Sequence, residues 1–244
     1  MRKYSQEDHT FVVLAYQTSP FLEECICSLE GQSVRNKIYI ATSTPNEHIT
    51  RLAEKYQLPV FINHGEKGIA GDWNFACSCV KTKLFTLAHQ DDRYEKDYVK
   101  SVLEVLNVCK HPLIAFSDYH EIREGQVVTN STLLKVKRLM LSPLKLKILW
   151  GNRFIRRRIL SLGNAICCPS VTFVRDNLTS PLFFNNMKSN IDWQTWEQIS
   201  RMKGEFAYIA TAQMQHRIHK ESTTSELLEV NGREIEDLYM FCKF

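Results

Sequence analysis

Two adjacent carboxylates, Asp91 and Asp92, end the segment LFTLAHQDD, in which an apolar run passes directly into polar residues. Magnesium and manganese favour hard oxygen ligands, so one carboxylate and two phosphate oxygens of a nucleotide diphosphate can together hold such an ion. The bound metal then offsets charge building on a leaving group. Neighbouring side chains in extended backbone point to opposite sides, which assigns Asp91 to the metal and Asp92 to orienting the loop. The plainer reading is that both acids cap the helix containing Tyr98. A third acid, Asp192, stands in NIDWQTW beside Trp193. Partial desolvation makes a carboxylate more basic, which suits it to take a proton from a hydroxyl. Its plain reading is a helix cap, with Trp193 and Trp196 on one face as core residues or as sugar platforms.

These acids need rigid elements to position them. Alternating β-rich and helical runs predict an α/β sheet with crossover helices. Strands are expected at Phe11–Ala15, Lys37–Ala41, Pro59–Ile62, Lys83–Ala88 and Leu113–Ser117. Between them, Phe21, Leu22, Cys25, Ile26 and Leu29, then Ile49, Leu52, Ala53 and Tyr56, recur at helical spacing. A helix over Gly71–Val80 is expected to open at Asp72, and Tyr98, Val102, Val105 and Leu106 mark another. Asp91 therefore falls beyond the carboxyl end of a strand, where open α/β sheets bind ligands. After residue 119 the alternation weakens into a basic, Leu-rich helical segment over 133–162, which Pro143 and Gly151 divide into short helices. A helix over Asp192–Lys203, a strand over Phe206–Ala210 and a polar tail over His216–Thr224 complete the reading. The chain, 244 residues long, is expected to form one domain, with a donor half over 8–120 and an acceptor half over 121–244.

Composition narrows the function classes. Hydrophobic residues at 44% and charged residues at 24% exclude disorder. The N-terminus lacks the apolar core of a signal peptide and no run is long enough to span a bilayer, so the chain is expected in the cytosol. The eight cysteines then read as reduced thiols, and none of their close pairs has the gap of a zinc knuckle. The net charge of +4 is uneven, because residues 135–158 carry Lys135, Lys137, Arg138, Arg156, Arg157 and Arg158 among others, and no acid. Cations interleaved with Leu and Ile suit a helix lying on an anionic membrane surface, which would hold the protein peripherally on the inner face of the plasma membrane. No nucleic-acid motif accompanies the charge, so nucleic acid is not expected as a partner.

The strand end Ala15-Tyr16, the segment Lys67-Gly68-Ile69-Ala70-Gly71-Asp72-Trp73-Asn74 and the motif His89-Gln90-Asp91-Asp92 resemble, in order and in gaps, the family-2 glycosyltransferases of GT-A fold. The resemblance covers most of the chain. It implies an inverting transferase with a Rossmann-like mixed sheet flanked by helices, a nucleoside-diphosphate sugar as donor, Mn2+ or Mg2+ as cofactor, and a glycan or lipid-linked acceptor in cell-surface polysaccharide synthesis. By the same resemblance Ala15, Tyr16 and Gln17 pack on the nucleotide base, and Lys67, Gly71, Asp72 and Asn74 lie along the donor. Asp91 holds the metal, and His219 closes over the diphosphate and touches that metal. Asp192 becomes the catalytic base, and Trp193 and Arg217 are expected at the acceptor.

Two positions depart from the family pattern. His89 stands where the acidic motif usually begins; histidine can ligate manganese or donate to a ribose or phosphate oxygen, and Gln90 follows it on the donor side. Thr42, within Ala41-Thr42-Ser43-Thr44, stands where a base-reading Asp is common, leaving Asp72 to supply that contact or to cap its helix. These departures motivate an alternative, a non-catalytic nucleotide-sugar-binding or membrane-surface adaptor protein with a degenerate cleft. A nucleotidyltransferase on a related sheet is disfavoured because AYQTSPFLEE has no glycine after the first strand.

Overall fold

The computed structural model describes residues 3–219 and 232–244. Its first half alternates β1 (His9–Ala15), α1 (Leu22–Glu30), β2 (Lys37–Thr42), α2 (Glu47–Tyr56), β3 (Val60–Ile62), α3 (Ile69–Ser78) and β4 (Leu84–His89). Then come β5 (Arg93–Tyr94), α4 (Tyr98–Asn107), β6 (Pro112–Arg123), β7 (Gln126–Val128), α5 (Thr132–Leu141) and α6 (Arg153–Leu160). The chain closes with β8 (Val171–Val174), α7 (Ile191–Arg201), β9 (Glu205–Ile218) and α8 (Gly232–Phe241).

The strands form one mixed sheet in the order β3-β2-β1-β4-β8-β6-β9-β5, with β7 pairing β6. β1, β2, β3 and β4 are mutually parallel where they pair. Covered on both faces by helices, β1 and β4 are almost wholly buried, which explains their near-continuous apolar sequence. α1 turns Leu22, Cys25, Ile26 and Leu29 inward at helical spacing. α2 starts where the Asn46 side chain accepts the Ile49 amide at 3.0 Å, a side-chain cap for a helix with three buried positions. The buried hydrophobic side chains form a continuous cluster reaching from Tyr4 to Met240.

Several boundaries differ from the sequence expectation. α3 opens at Gly68, whose φ of 98° favours glycine, so Asp72 lies inside the first turn and does not cap it. β8 is absent from the sequence reading, yet it lies antiparallel between β4 and β6 and joins the two halves of the sheet. β6 runs on to Arg123 and β9 to Ile218, beyond the expected ends at Ser117 and Ala210. A register shift at Ser117/Asp118 divides their pairing; past it, β7 adds to β6 and β5 adds to β9. His216 therefore belongs to a strand and not to a polar tail, while positions 220–224 of that expected tail lie outside the described residues. α8 was also absent from the sequence reading.

The basic segment breaks as Pro143 suggested, into α5, two short 3-10 turns over 142–145 and 147–149, and α6. Its cations are not all outward. Arg138 donates to Asp118 at 2.7 Å and to the carbonyls of Thr129 and Tyr119, which straps α5 onto β6. Arg156, 1% exposed, donates to the carbonyls of Trp150, Ser200, Met202 and Gly204 and lies over the Phe206 ring. Arg157 pairs with Glu197 at 2.7 Å.

Candidate active site

Strand register brings the candidate residues to one edge. Ala15 pairs with Thr42, Thr42 with Ile62, and Leu14 with His89, so β1, β2, β3 and β4 end together at the carboxyl edge of the sheet. Just past β1 and β4 the pairing continues through a side chain. Gln90 accepts the Tyr16 amide at 2.9 Å and donates to the Tyr16 carbonyl at 3.0 Å. Gln17, in the left-handed region at φ 53°, gives its amide to Thr44 at 2.6 Å. Tyr16 is left 53% exposed, which leaves its ring accessible to a planar group.

The two acids point apart from a turn, not from extended backbone: β4 ends at His89, and the Asp92 amide donates back to the His89 carbonyl at 3.1 Å. Asp91 accepts from Ser19 at 2.7 Å through Oδ1, while its Oδ2 lies 3.3 Å from His219 Nε2. Asp92 is buried and turns the other way, accepting His216 Nδ1 at 3.0 Å and the Arg217 amide at 2.8 Å, which ties the β4 loop to β9. Neither acid caps α4, whose cap position is Asp97. Burial lowers the His216 pKa, but the Asp92 charge and hydrogen bond outweigh it and the net shift is upward. His89 moves downward, chiefly by burial, with Asp92 opposing; its ring lies 5.3 Å from that of Trp73. His89 Nε2 and Asp92 Oδ2 are buried polar atoms without a hydrogen-bond partner among the described residues.

On the donor side, Asp72 accepts Ser43 at 2.9 Å and Asn63 at 2.7 Å, so it reaches the loops that follow β2 and β3. Thr42 is buried and its hydroxyl accepts the Thr44 amide at 3.0 Å, which shapes the turn after β2. Gly71 lies against the Glu66 backbone so closely that a β-carbon would collide with the Glu66 carbonyl. Lys67 is exposed at the mouth of this loop. Asn74 reaches away from the strand edge; its amide donates to the Phe183 carbonyl at 2.7 Å and accepts the Leu182 and Phe183 amides at 3.1 Å.

The third candidate acid belongs to α7. Asp192, in the first turn of α7, accepts Asn164 Nδ2 at 2.8 Å and its neighbour's amide at 2.8 Å. Burial pushes the Cys167 and Cys168 thiols up, and the charges of Asp92 and Asp192 both add to that push. Two acceptor-side expectations are corrected. Trp193 is only 2% exposed, donates to the Leu160 carbonyl at 3.0 Å and packs edge-on against Phe241, so it is a core residue and offers no sugar platform. Arg217 is buried, donates to Glu24 and to the Asp91 carbonyl and stacks on Phe21 at 4.1 Å, so its guanidinium is committed to the protein beside the acid pair.

Sequence reasoning missed Ser19, Phe21, Glu24, Asn63 and His216. Their signal was positional, since all but Glu24 follow a strand end or occupy the polar stretch of β9. A metal ion suits the edge through Asp91 and His219. Among the described residues no group of three His, Cys, Asp or Glu forms a complete cage, so a donor diphosphate would have to supply further oxygens.

A parallel β3-β2-β1-β4 edge extended by β8, β6 and β9 into a mixed sheet flanked by helices is the GT-A fold. The chain belongs to glycosyl transferase family 2, whose family model matches residues 10–183. Among solved structures it is similar to Staphylococcus aureus TarS 1-349 in complex with UDP-GlcNAc, with 15% identity and a TM-score of 0.63. That match covers 89% of this chain and 60% of the TarS chain, so the protein spans well under the whole of that relative. A mannosyltransferase from Pyrobaculum calidifontis in complex with GDP-Man and Mn2+ gives 13% identity and a TM-score of 0.67, covering 97% of this chain and 63% of that one. Glucosyl-3-phosphoglycerate synthase from Mycobacterium tuberculosis, with Mn2+, UDP and glucosyl-3-phosphoglycerate, gives 13% and 0.64 over 96% of this chain and 78% of that one. A search of curated proteins gives no significant match.

Proposed function

We propose that this glycosyltransferase works by a single displacement with inversion, taking a nucleoside-diphosphate sugar as donor and a hydroxyl of a saccharide or lipid-linked saccharide as acceptor. The observation that carries this reading is the pairing of Asp91 with His219 at 3.3 Å just past the strand edge; Asp192, in the first turn of α7, is the carboxylate left to act as base. The donor's base lies against Tyr16 and Gln17, with Asp72 reaching it from the side. Gly71 lets the backbone approach the donor closely, and Lys67 at the same loop meets its phosphates.

Asp91 and His219 would hold a divalent ion, with manganese suited to the mixed oxygen and nitrogen set; when bound, that ion offsets charge on the departing diphosphate. Asp192 accepts the acceptor's hydroxyl proton as its oxygen bonds to the anomeric carbon. The bond from that carbon to the diphosphate oxygen breaks, and its electron pair leaves with the nucleoside diphosphate. Asn164 orients the base through its bond to Oδ2. We place this activity in the cytoplasm, in synthesis of a cell-surface polysaccharide.

The test is thermal melting against a panel of nucleoside diphosphates, with and without manganese, followed by transfer assays. A metal-dependent rise with one nucleotide is expected, lost in Asp91→Ala and kept in Asp192→Asn. Transfer should fall in both variants. A nucleotide that binds in wild type while Asp192→Asn leaves transfer unchanged would remove Asp192 from the chemistry.

A further inference from the structure

The segment between β7 and β8 presents an unusual surface. From residue 125 to residue 175 the sequence contains no Asp or Glu. Both of its helices bury one set of apolar residues and expose another. α5 turns Leu134 and Leu141 inward but leaves Leu133, Val136 and Leu139, three apart along one stripe, in solvent. The following 3-10 turns bury Leu144 while exposing Leu146 and Ile148, and α6 buries Ile159 and Leu160 while exposing Phe154. Ile148 is 87% exposed, Phe154 75% and Leu139 73%. The segment folds back on itself, since the Met140 side chain lies 3.7 Å from the position a Gly163 β-carbon would take.

Single exposed apolar side chains are ordinary on soluble proteins; a succession of them on contiguous elements is not. The cations on this surface show what covers it. Lys135, Lys145, Lys147 and Arg158 are exposed among these apolar residues, whereas Arg156 and Arg157 are committed to the protein's own carbonyls and to Glu197. A protein interface excludes lysine from its centre, and a second copy of this chain would set these cations against one another. A bilayer bearing anionic headgroups accepts both features, taking the apolar side chains into its interface and the lysine ammonium groups at the headgroup level.

We infer that residues 133–162 form a peripheral membrane-docking surface, in which Leu139, Leu146, Ile148 and Phe154 enter the interface of an anionic bilayer and Lys135, Lys145, Lys147 and Arg158 meet its headgroups. This stands on exposure and charge, apart from the reading of the reaction. No helix among the described residues is long and apolar enough to cross a membrane, which fits contact in the plane of the surface. The segment ends at Leu162-Gly163, and the next residue is Asn164, the partner of Asp192. The docking surface thus leads through Asn164 to Asp192, the base of the proposed reaction, so a lipid-linked acceptor could enter along it.

The test is sedimentation of the full chain with large unilamellar vesicles of phosphatidylcholine, alone or with phosphatidylglycerol, at low and high salt. Binding to the anionic vesicles alone, weakened by salt, is expected. Ile148→Ser combined with Phe154→Ser should lower the partition coefficient by about tenfold or more. Lys145→Glu with Lys147→Glu should abolish the preference for anionic lipid, and Val127→Ser, an exposed apolar site on β7, should change nothing. Unchanged melting temperatures and size-exclusion profiles would establish that these surface variants fold. Three outcomes would overturn the inference: no binding by wild type, equal binding to both vesicles, or a wild-type dimer that the Ile148→Ser, Phe154→Ser variant dissolves. The last would make the surface an interface between copies.

Discussion

The walls proposed for the donor and for the acceptor are built on different principles. Residues of the donor edge are placed by strand register: Ala15, Thr42, Ile62 and His89 arrive together because β1, β2, β3 and β4 pair in parallel. The acceptor wall has no such ladder behind it. It is pinned by single polar side chains that reach across the chain, as Asn74 does to Leu182 and Phe183, Asn164 to Asp192, and Glu236 to the amides of Lys188, Ser189 and Asn190. A ladder shares its strain over many hydrogen bonds, whereas a single clamp fails with one substitution. The difference teaches that donor binding should tolerate change around the site while acceptor geometry should not.

The sharpest separation of the two walls comes from Asp192→Asn, which should lower kcat by about 10²- to 10⁴-fold, the usual worth of a general base, and leave donor-induced stabilisation intact. Loss of donor binding in that variant would merge the two walls. Arg156→Leu should follow in size. It orphans buried carbonyls at Trp150, Ser200, Met202 and Gly204, and a cost of about 3 kcal/mol or more is expected in urea unfolding. Asn74→Ala should cost about 1–3 kcal/mol and slow transfer more than it weakens donor nucleotide, because the freed segment leads into α7. A donor defect larger than the transfer defect would return Asn74 to the donor side.

Two histidines differ in the sign of their pH dependence. Burial lowers His9 on β1 from its ordinary 6.5 to about 3, so it is neutral when folded. Its contribution to stability is present above pH 6.5 and lost as the pH falls toward 3. His216 on β9 is shifted upward by Asp92, so its contribution is complete below 6.5 and lost as the pH rises through its folded value. Urea midpoints across this range should show His9→Gln flattening the acid limb and His216→Gln flattening the neutral-to-alkaline one. The same limb flattening in both variants would show that the pairing with Asp92 does not set the sign.

The same contrast governs what could be read from sequence. The donor half announces itself because its strands are buried on both faces and its helices carry apolar residues at regular spacing. The acid pair is visible for the same reason, standing where a buried strand turns polar. β8 is four residues long and follows a Cys-Pro-Ser turn, so it offers no pattern to detect. The distal ends of β6 and β9 are rich in polar side chains and read as loop, although the two strands pair over most of their length. Trp193 and Arg217 illustrate a further limit. An aromatic or a cation near a reactive acid suggests contact with substrate, but only packing shows that Trp193 fills the core and that Arg217 meets Glu24.

Gln90 supplies a rung to the sheet after β4 has ended, so the chain is still anchored to Tyr16 one residue before Asp91. With Ser19 holding one oxygen and His219 beside the other, both ends of that carboxylate are held by the protein. The entropy of ordering it is therefore settled when the protein folds and does not recur with each turnover.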